Sequence, residues 1–435
     1  MELDDGTTRA LGFPEFLWLA RKCVQVIHVV GHYTPARCGI AHYTSRLVDA
    51  LAEAGLEVAV LSRAGEATDA VPFWLLPSTT WSTSSLLTLL RIAHRRHVDW
   101  LHLQFAPGSF DRRRRVGLLP ILSKLVPGTP RIAVTLHEYG GWPLAPPKPL
   151  APLANRALGV GEKAGWFDRE TLGLLSASDL EIVTNPDHLA RIQALSPRLA
   201  SRVRIIPIGP NVTSDLTSAT TREEARSALG IPVDRFVAVF FGFVHPVKGI
   251  ETLLVAMRNL HQTRPDALLW IVGGVESLAL RGSEARVYEE KIRRMIAELG
   301  VAGVVDFTGF LPDPIVALRL RAADLAVLPF NRGATMKSGA LITCLSFGLP
   351  VLTTSGGDLD DLRHAESIWF VPPRDPSLLA QAISQLARAE GVRRRIAVCG
   401  QAVAGRYQWP SIARQHREIY ESASASAERP MWSSA

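Results

Sequence analysis

Cysteine is scarce in this chain of 435 residues. The four, Cys23, Cys38, Cys344 and Cys399, lie far apart and none belongs to a CxxC pair. That excludes a zinc-ribbon spacing and a disulfide framework, and leaves free thiols in a reducing cytoplasm as the expectation. No apolar run reaches the roughly 18 residues that a membrane span needs. The stretch "LGFPEFLWLA" is short and is ended by Arg21 and Lys22, and the acidic start "MELDDGTTRA" is wrong for a signal peptide. A large excess of one charge is missing too. Lys and Arg number 48 against 41 Asp and Glu, a net +7, which suits an anionic ligand or membrane surface without calling for nucleic acid.

Two nucleotide signatures are also lacking. The glycines of "GHYTPARCGI", Gly31 and Gly39, stand eight apart, so the first strand is not followed by GxGxxG, and no GxxxxGK[ST] occurs. No metal-ligand spacing joins His42, His102 and His188. The acids of "DLDD" at 358–361 read as a helix start in a favourable dipole, not as a metal site. Cys38 reads as a small loop residue beside Gly39, and Asn185 and Asp187 as an N-cap and first-turn acid.

What is present is a globular composition, 47% hydrophobic and 20% charged, at a length that favours about two domains. "VQVIHVVG", "LEVAVLSR", "DWLHLQF", "RIAVTLHE", "DLEIVTN" and "RVRIIPIG" are buried-strand runs separated by helical stretches. After "PIGPNVTSDLTSAT" the series restarts with "RFVAVFFGF", "ALLWIVGG", "VVDFTGF", "DLAVLPF", "PVLTTSG" and "SIWFVPP". Alternating strands and helices give an α/β fold with parallel sheets covered on both faces. The expectation is two doubly wound Rossmann-like domains facing a cleft: an acceptor-side domain over 1–210, a nucleotide-binding domain over 211–405, and over 406–435 a helix crossing back to the first domain plus a loose tail. Ligands in such sheets bind beyond the carboxyl ends of the strands.

One loop there points to an anion. In "LPFNRGATMKSGALITCLSFGLPVLTT" (328–354) a strand ends, a polar loop follows, and a helix restarts near Ser338 and Gly339. The amides of Ser338, Gly339, Ala340 and Leu341 would be open donors at a helix N-terminus, where phosphate binds. Gly339 would let the backbone approach closely.

From here the chain resembles a GT-B glycosyltransferase, most closely the retaining family 4, also called group 1. The resemblance spans about 24–420 and rests on "YTPARCGIAHYTSRLVDALAEAGLEV", "VTLHEY", "IIPIGPNV", "FFGFVHPVKGIETLL", "GFLPDPIVALRLRAADLAVLPF" and "GLPVLTT…VPPRDP", in that order and spacing. It implies a sugar transferase that takes a nucleotide diphosphate-sugar as co-substrate, needs no cofactor or metal, retains anomeric configuration and lies in the cytoplasm. His137 would contact the donor sugar and support the reaction centre, with Glu138 near sugar or acceptor. Gly39, Gly242 and Lys248 would join the helix amides around the diphosphate, and Gly309, Phe310 and Leu311 would flank the base.

The chain departs from that family twice. Its Gly-Arg pair is here Gly242 and Phe243, and its two glutamates eight apart are Thr335 and Thr343. Threonine hydroxyls are neutral and shorter contacts for sugar or ribose. Two readings of Lys337 stand open: a cation replacing the one missing at 243, or a solvent-facing side chain. Two also stand for Arg112, Arg113, Arg114 and Arg115: an anionic-lipid contact bringing the enzyme to a lipid-linked acceptor, or the solvated start of a crossover helix. The Pro-rich "GGWPLAPPKPLAPLANRA" after His137 is placed to shape acceptor choice, the acceptor being a polysaccharide, glycolipid or small metabolite. The alternatives are a binding protein that has lost turnover, and a nucleotide-sugar epimerase or a phosphorylase on the same scaffold.

Overall fold

A computed structural model describes residues 24–62, 72–75, 81–110, 114–144, 151–277, 280–356, 359 and 362–427. The first domain contains β1 (Gln25–Val30), β2 (Glu57–Ser62), β3 (Phe73–Leu75), β4 (Trp100–Phe105), β5 (Arg131–Leu136), β6 (Leu180–Val183) and β7 (Val203–Ile205). The second contains β8 (Val237–Phe241), β9 (Leu268–Val272), β10 (Val305–Gly309), β11 (Leu325–Leu328), β12 (Val351–Thr354) and β13 (Trp369–Val371). β3 lacks any counterpart among the strands read from the sequence.

The sheet orders are β3-β2-β1-β4-β5-β6-β7 and β10-β9-β8-β11-β12-β13. The strand pairings are parallel. Chain order reverses between β1 and β4 in one sheet and between β8 and β11 in the other, so each domain has a crevice at that switch point. The central strands β1 and β4 are buried along their whole length, as helices on both faces require of apolar parallel runs.

The helix Trp409–Ala427 returns to the first domain. Tyr420 packs on Trp100 at 5.5 Å between ring centres, and Trp409 on Tyr43 at 5.4 Å. Trp409 also holds the chain between the domains. Its Nε1 donates to the Pro210 carbonyl at 3.0 Å, and its ring lies where a Cβ on Gly209 would come within 2.5 Å. Only glycine fits beneath that indole. The segment 110–126 is not one helix: a 3-10 turn over Arg114–Leu118 precedes a short helix, Leu119–Leu125.

Candidate functional site

The second domain supplies a recess built mostly from backbone, at the place where the sequence points to an anion. β8 is followed by Gly242, whose φ of +125° is open to glycine and strained for other residues, and a Cβ there would sit 3.2 Å from the Ala340 Cβ. The tight fit sets the β8 turn against the start of the helix Gly339–Ser346. Further on, Gly249 has φ +74° and lies so close to Pro329 that a Cβ would meet its carbonyl oxygen at 1.9 Å. Asn331 sews this turn to the loop after β11, its N–H donating to the Val247 carbonyl at 3.0 Å and its side chain to the Pro246 carbonyl at 2.7 Å. The carrier of charge, Lys248, is thereby held half-buried with its Nζ 4.5 Å from the Phe330 ring centre. It has no carboxylate partner among the described residues. Burial pulls its pKa below the usual lysine value, which an incoming anion would reverse.

The helix start is narrower than four open amides. Ser338 N–H donates to the Thr335 carbonyl at 3.1 Å, and Leu341 N–H to the Ser338 hydroxyl at 3.3 Å. Ser338 is therefore the N-cap, and its hydroxyl consumes the Leu341 donor. The Gly339 and Ala340 amides remain, without an acceptor among the described residues. A Cβ on Gly339 would lie 2.3 Å from Asn211 Oδ1, so a larger residue here would have to turn the Asn211 side chain aside.

Two further expectations are corrected. Thr343 is fully buried, and its hydroxyl accepts the Asn211 N–H at 2.9 Å. It ties the interdomain segment to the helix and does not face the cleft; Thr335 is half-buried in the loop before it. Lys337 is neither solvent-facing nor a free replacement cation. Its Nζ pairs with Asp187 Oδ2 of the first domain at 2.5 Å. Hydrogen bonding to Lys337 leads the causes that lower the Asp187 pKa. Asp187 does open the helix Pro186–Leu195, capped by Asn185, but it also bridges the cleft. A second bridge joins Arg46 to Asp313.

From the first domain, His137 follows β5 and its ring meets Tyr43 edge-on at 4.7 Å. Its Nε2 donates to Gln104 Oε1 at 2.9 Å, and Gln104 Nε2 lies 3.1 Å from His28 Nδ1. With Gln104 donating to His28 through its amide, its oxygen must accept from His137. This fixes the neutral Nε2–H tautomer and leaves Nδ1 as a lone-pair acceptor. Burial, with nearby His188 and His416, drives the His137 pKa down to about 3. Glu138 is exposed, and partial desolvation followed by Glu170 raises its pKa. Glu170 accepts the Gly140 N–H at 2.9 Å and so anchors the loop after His137.

Gly39 is the exposed first residue of the helix Gly39–Glu53, with open space where a Cβ would be. Gly309, at φ +71°, ends β10, and Phe310 next to it is 43% exposed. Arg37 lies 5.1 Å over the Phe310 ring and His42 packs edge-on at 6.4 Å. Phe310 and Leu311 line a small interdomain cavity with Gly242, Phe243, His42 and Asn211. Gln104 lay outside the quoted motifs, and Tyr43, Asn211 and Arg37 lay inside them without being singled out. Their roles come from contacts between distant parts of the chain.

Of the arginine run, Arg114 turns inward. It stacks 4.2 Å over Trp142 and donates to the Arg169 carbonyl at 2.9 Å. Arg115 is exposed, whereas Arg112 and Arg113 lie outside the described residues, as do the acids at 358, 360 and 361 and the tail 428–435. Among the described residues no group of three or more His, Cys, Asp or Glu is placed to hold a metal ion. No described helix is long and apolar enough to cross a membrane.

Known proteins place this architecture. The profile of the family described as "Glycosyl transferases group 1" matches residues 235–389, a span that contains Gly242, Lys248 and the helix Gly339–Ser346. A D-inositol 3-phosphate glycosyltransferase from Acidothermus cellulolyticus is 30% identical over 291 residues, covering 63% of this chain and 61% of that protein. A phosphatidyl-myo-inositol mannosyltransferase from Mycobacterium leprae is 28% identical over 337 residues, covering 75% and 80%. This chain spans between about half and two thirds of the length of the D-inositol 3-phosphate glycosyltransferases it matches. The structure of Anabaena Alr3699/HepE in complex with UDP-glucose superposes with a TM-score of 0.66 at 18% identity, covering 92% of this chain and 99% of that one. The fold is GT-B.

Proposed function

We propose that this chain, whose residues 235–389 form a group 1 glycosyltransferase domain within a GT-B fold, transfers a sugar from a nucleotide diphosphate-sugar to an acceptor hydroxyl with retention. The observation that carries this reading is the pairing of two free helix-start amides, Gly339 and Ala340, with an unpaired, partly desolvated Lys248. As the anomeric C–O bond breaks, negative charge grows on the departing diphosphate. Fixed dipoles and a lysine meet that charge more strongly in the transition state than in the ground state. His137 stays neutral at working pH, and its Nδ1 accepts from a donor-sugar hydroxyl. Phe310 and Leu311 border the base. The acceptor enters beside Glu138 and the loop after His137.

Relatives that act on inositol phosphate and phosphatidyl-inositol support a phosphorylated polyol or glycolipid acceptor. Peripheral contact with an anionic membrane belongs to the same reading. Arg115 and the exposed Ile121, Leu125 and Val126 would carry it, and a cytoplasmic location fits the free thiols. Consumption of UDP-, GDP-, TDP- and ADP-sugars is measured with and without an acceptor panel. Glycoside formation is expected, with kcat reduced roughly 100- to 1,000-fold in Lys248→Ala. Binding without turnover across the panel would favour a non-catalytic protein, and an isomerised donor or free sugar phosphate would favour an epimerase or phosphorylase.

A further inference from the structure

The second domain has another concentration of positive charge, at the opposite edge of its sheet. A cavity of about 610 Å³ opens where Phe236, Asp324 and Pro350 lead into β8, β11 and β12. The cleft lies at the other ends of these strands. Six arginines line the cavity: Arg222, Arg235, Arg264, Arg321, Arg393 and Arg394. Four carboxylates accompany them, but three are already engaged. Asp324 binds Arg222, the buried Arg226 and the Val237 N–H. Glu390 pairs with Arg394, and Glu223 lies 3.9 Å from Arg222. Asp234 stands exposed on the rim.

Three arginines are left with no ion pair among the described residues. Each is held by backbone carbonyls: Arg235 Nε by Asp266 at 2.9 Å, Arg321 Nη2 by Thr217 at 3.3 Å, and Arg393 Nη1 by Ala387 at 2.9 Å. Arg321 Nε is buried with no acceptor among the described residues. Aromatic rings fix the fork orientations. Arg264 and Arg393 both lie 5.6 Å from the Phe236 ring centre, and Arg321 lies 5.9 Å from that of Phe347. Holding like charges this close in a recess is unfavourable unless an anion joins them, and guanidinium forks match phosphate oxygens.

We propose that this cavity is a second anion site, separate from the cleft, for a small molecule bearing one or two phosphate groups. Its concave shape and volume suit a metabolite and exclude a duplex backbone. Phe347 and Gly348 line it at one end of the helix Gly339–Ser346, and Gly339 and Ala340 stand at the other end. The two sites are about 12 Å apart along that helix. The inference rests on the arginines alone and holds whether or not the cleft transfers sugar.

The test is calorimetric titration with inorganic pyrophosphate, using inorganic phosphate as a weaker probe. Lys248→Ala, which weakens the cleft, is expected to keep one pyrophosphate site. Adding Arg321→Met is expected to weaken that site roughly tenfold or more. Because this change removes the bond to the Thr217 carbonyl as well as an orphaned buried donor, the melting temperature is measured alongside to show that the variant is folded. Arg235→Gln, on a partly exposed side chain, serves as the second variant should the Met variant misfold, with the same expected loss. Loss of all pyrophosphate binding in Lys248→Ala alone, or unchanged binding in both arginine variants, overturns the proposal.

Discussion

The two domains share a topology but fill it with different chemistry. Beneath the second sheet the buried set is almost wholly apolar, from Val237 to Leu386, broken mainly by hydroxyls such as Thr343, Thr353 and Thr354 and by the paired Arg226. The first domain buries His28, His102, Gln104, Thr135, Asp168, Glu181 and His188, and the last helix adds His416 against the same face. His102 bridges Tyr420 and the Thr135 hydroxyl, and Gln104 links His28 to His137. One half is a stiff apolar scaffold that presents backbone donors at its edge. The other is a titratable interior that sets the state of one histidine. An anion needs fixed dipoles, which apolar packing provides. For the sugar contact proposed for His137, a buried polar chain provides an acceptor of defined tautomer.

The joint between these halves is where the comparison is most easily broken. Trp409→Ala removes a buried indole that packs on Gly209 and Tyr43, and is expected to cost about 3–5 kcal/mol. Chemical denaturation should show the first domain losing most, because the last helix packs on it. Equal loss in both domains would mean that the helix belongs to neither.

Acid should separate the halves next. Burial holds His28 at about 3, His137 at about 3, His188 at about 4, His416 at about 4, and His102 well below its usual value. These groups have folded pKa values below their unfolded ones and stay neutral in the fold while the unfolded chain takes up protons below about 6.5. Their contribution is therefore lost as pH falls. Glu181, raised by burial to about 8, and Asp168, raised to about 6, act in the opposite direction. The buried histidines outnumber these two carboxyls, so the first domain is expected to lose stability as pH falls from about 6.5 to 5.5. Hydrogen exchange at pH 5.5 is expected to open residues 25–205 before residues 237–371. Simultaneous opening would erase the distinction.

A smaller effect sharpens the contrast at one residue. Thr343→Val leaves the Asn211 N–H without its acceptor and is expected to cost about 1–3 kcal/mol, with the donor KM nearly unchanged. A raised KM at full stability would return Thr343 to the donor site.

Most of the fold was legible because parallel strands buried on both faces read as apolar runs. β3, three residues long, gave too short a run to stand out. At the candidate site, the backbone settings of Lys248, Gly339 and His137 were legible because local sequence fixes them: a glycine after the lysine, a cap before the helix, a strand end before the histidine. Thr343 was misplaced because the helix Gly339–Ser346 is buried nearly all round, so spacing from Thr335 did not reveal which way position 343 turns. Lys337 and Asp187 are 150 residues apart, and nothing in either stretch names the other. Gln104 lies inside an apolar strand and becomes meaningful only once β1, β4 and β5 align.

The central claim is that Gly339 and Ala340 hold the donor diphosphate through amides left free by the cap. Backbone amide NMR during titration with a nucleoside diphosphate tests it directly. The Gly339 and Ala340 resonances are expected to shift most in that helix, with Ser338 and Leu341, already bonded within the chain, moving less. Saturation of the cleft with Gly339 and Ala340 unmoved would contradict the account.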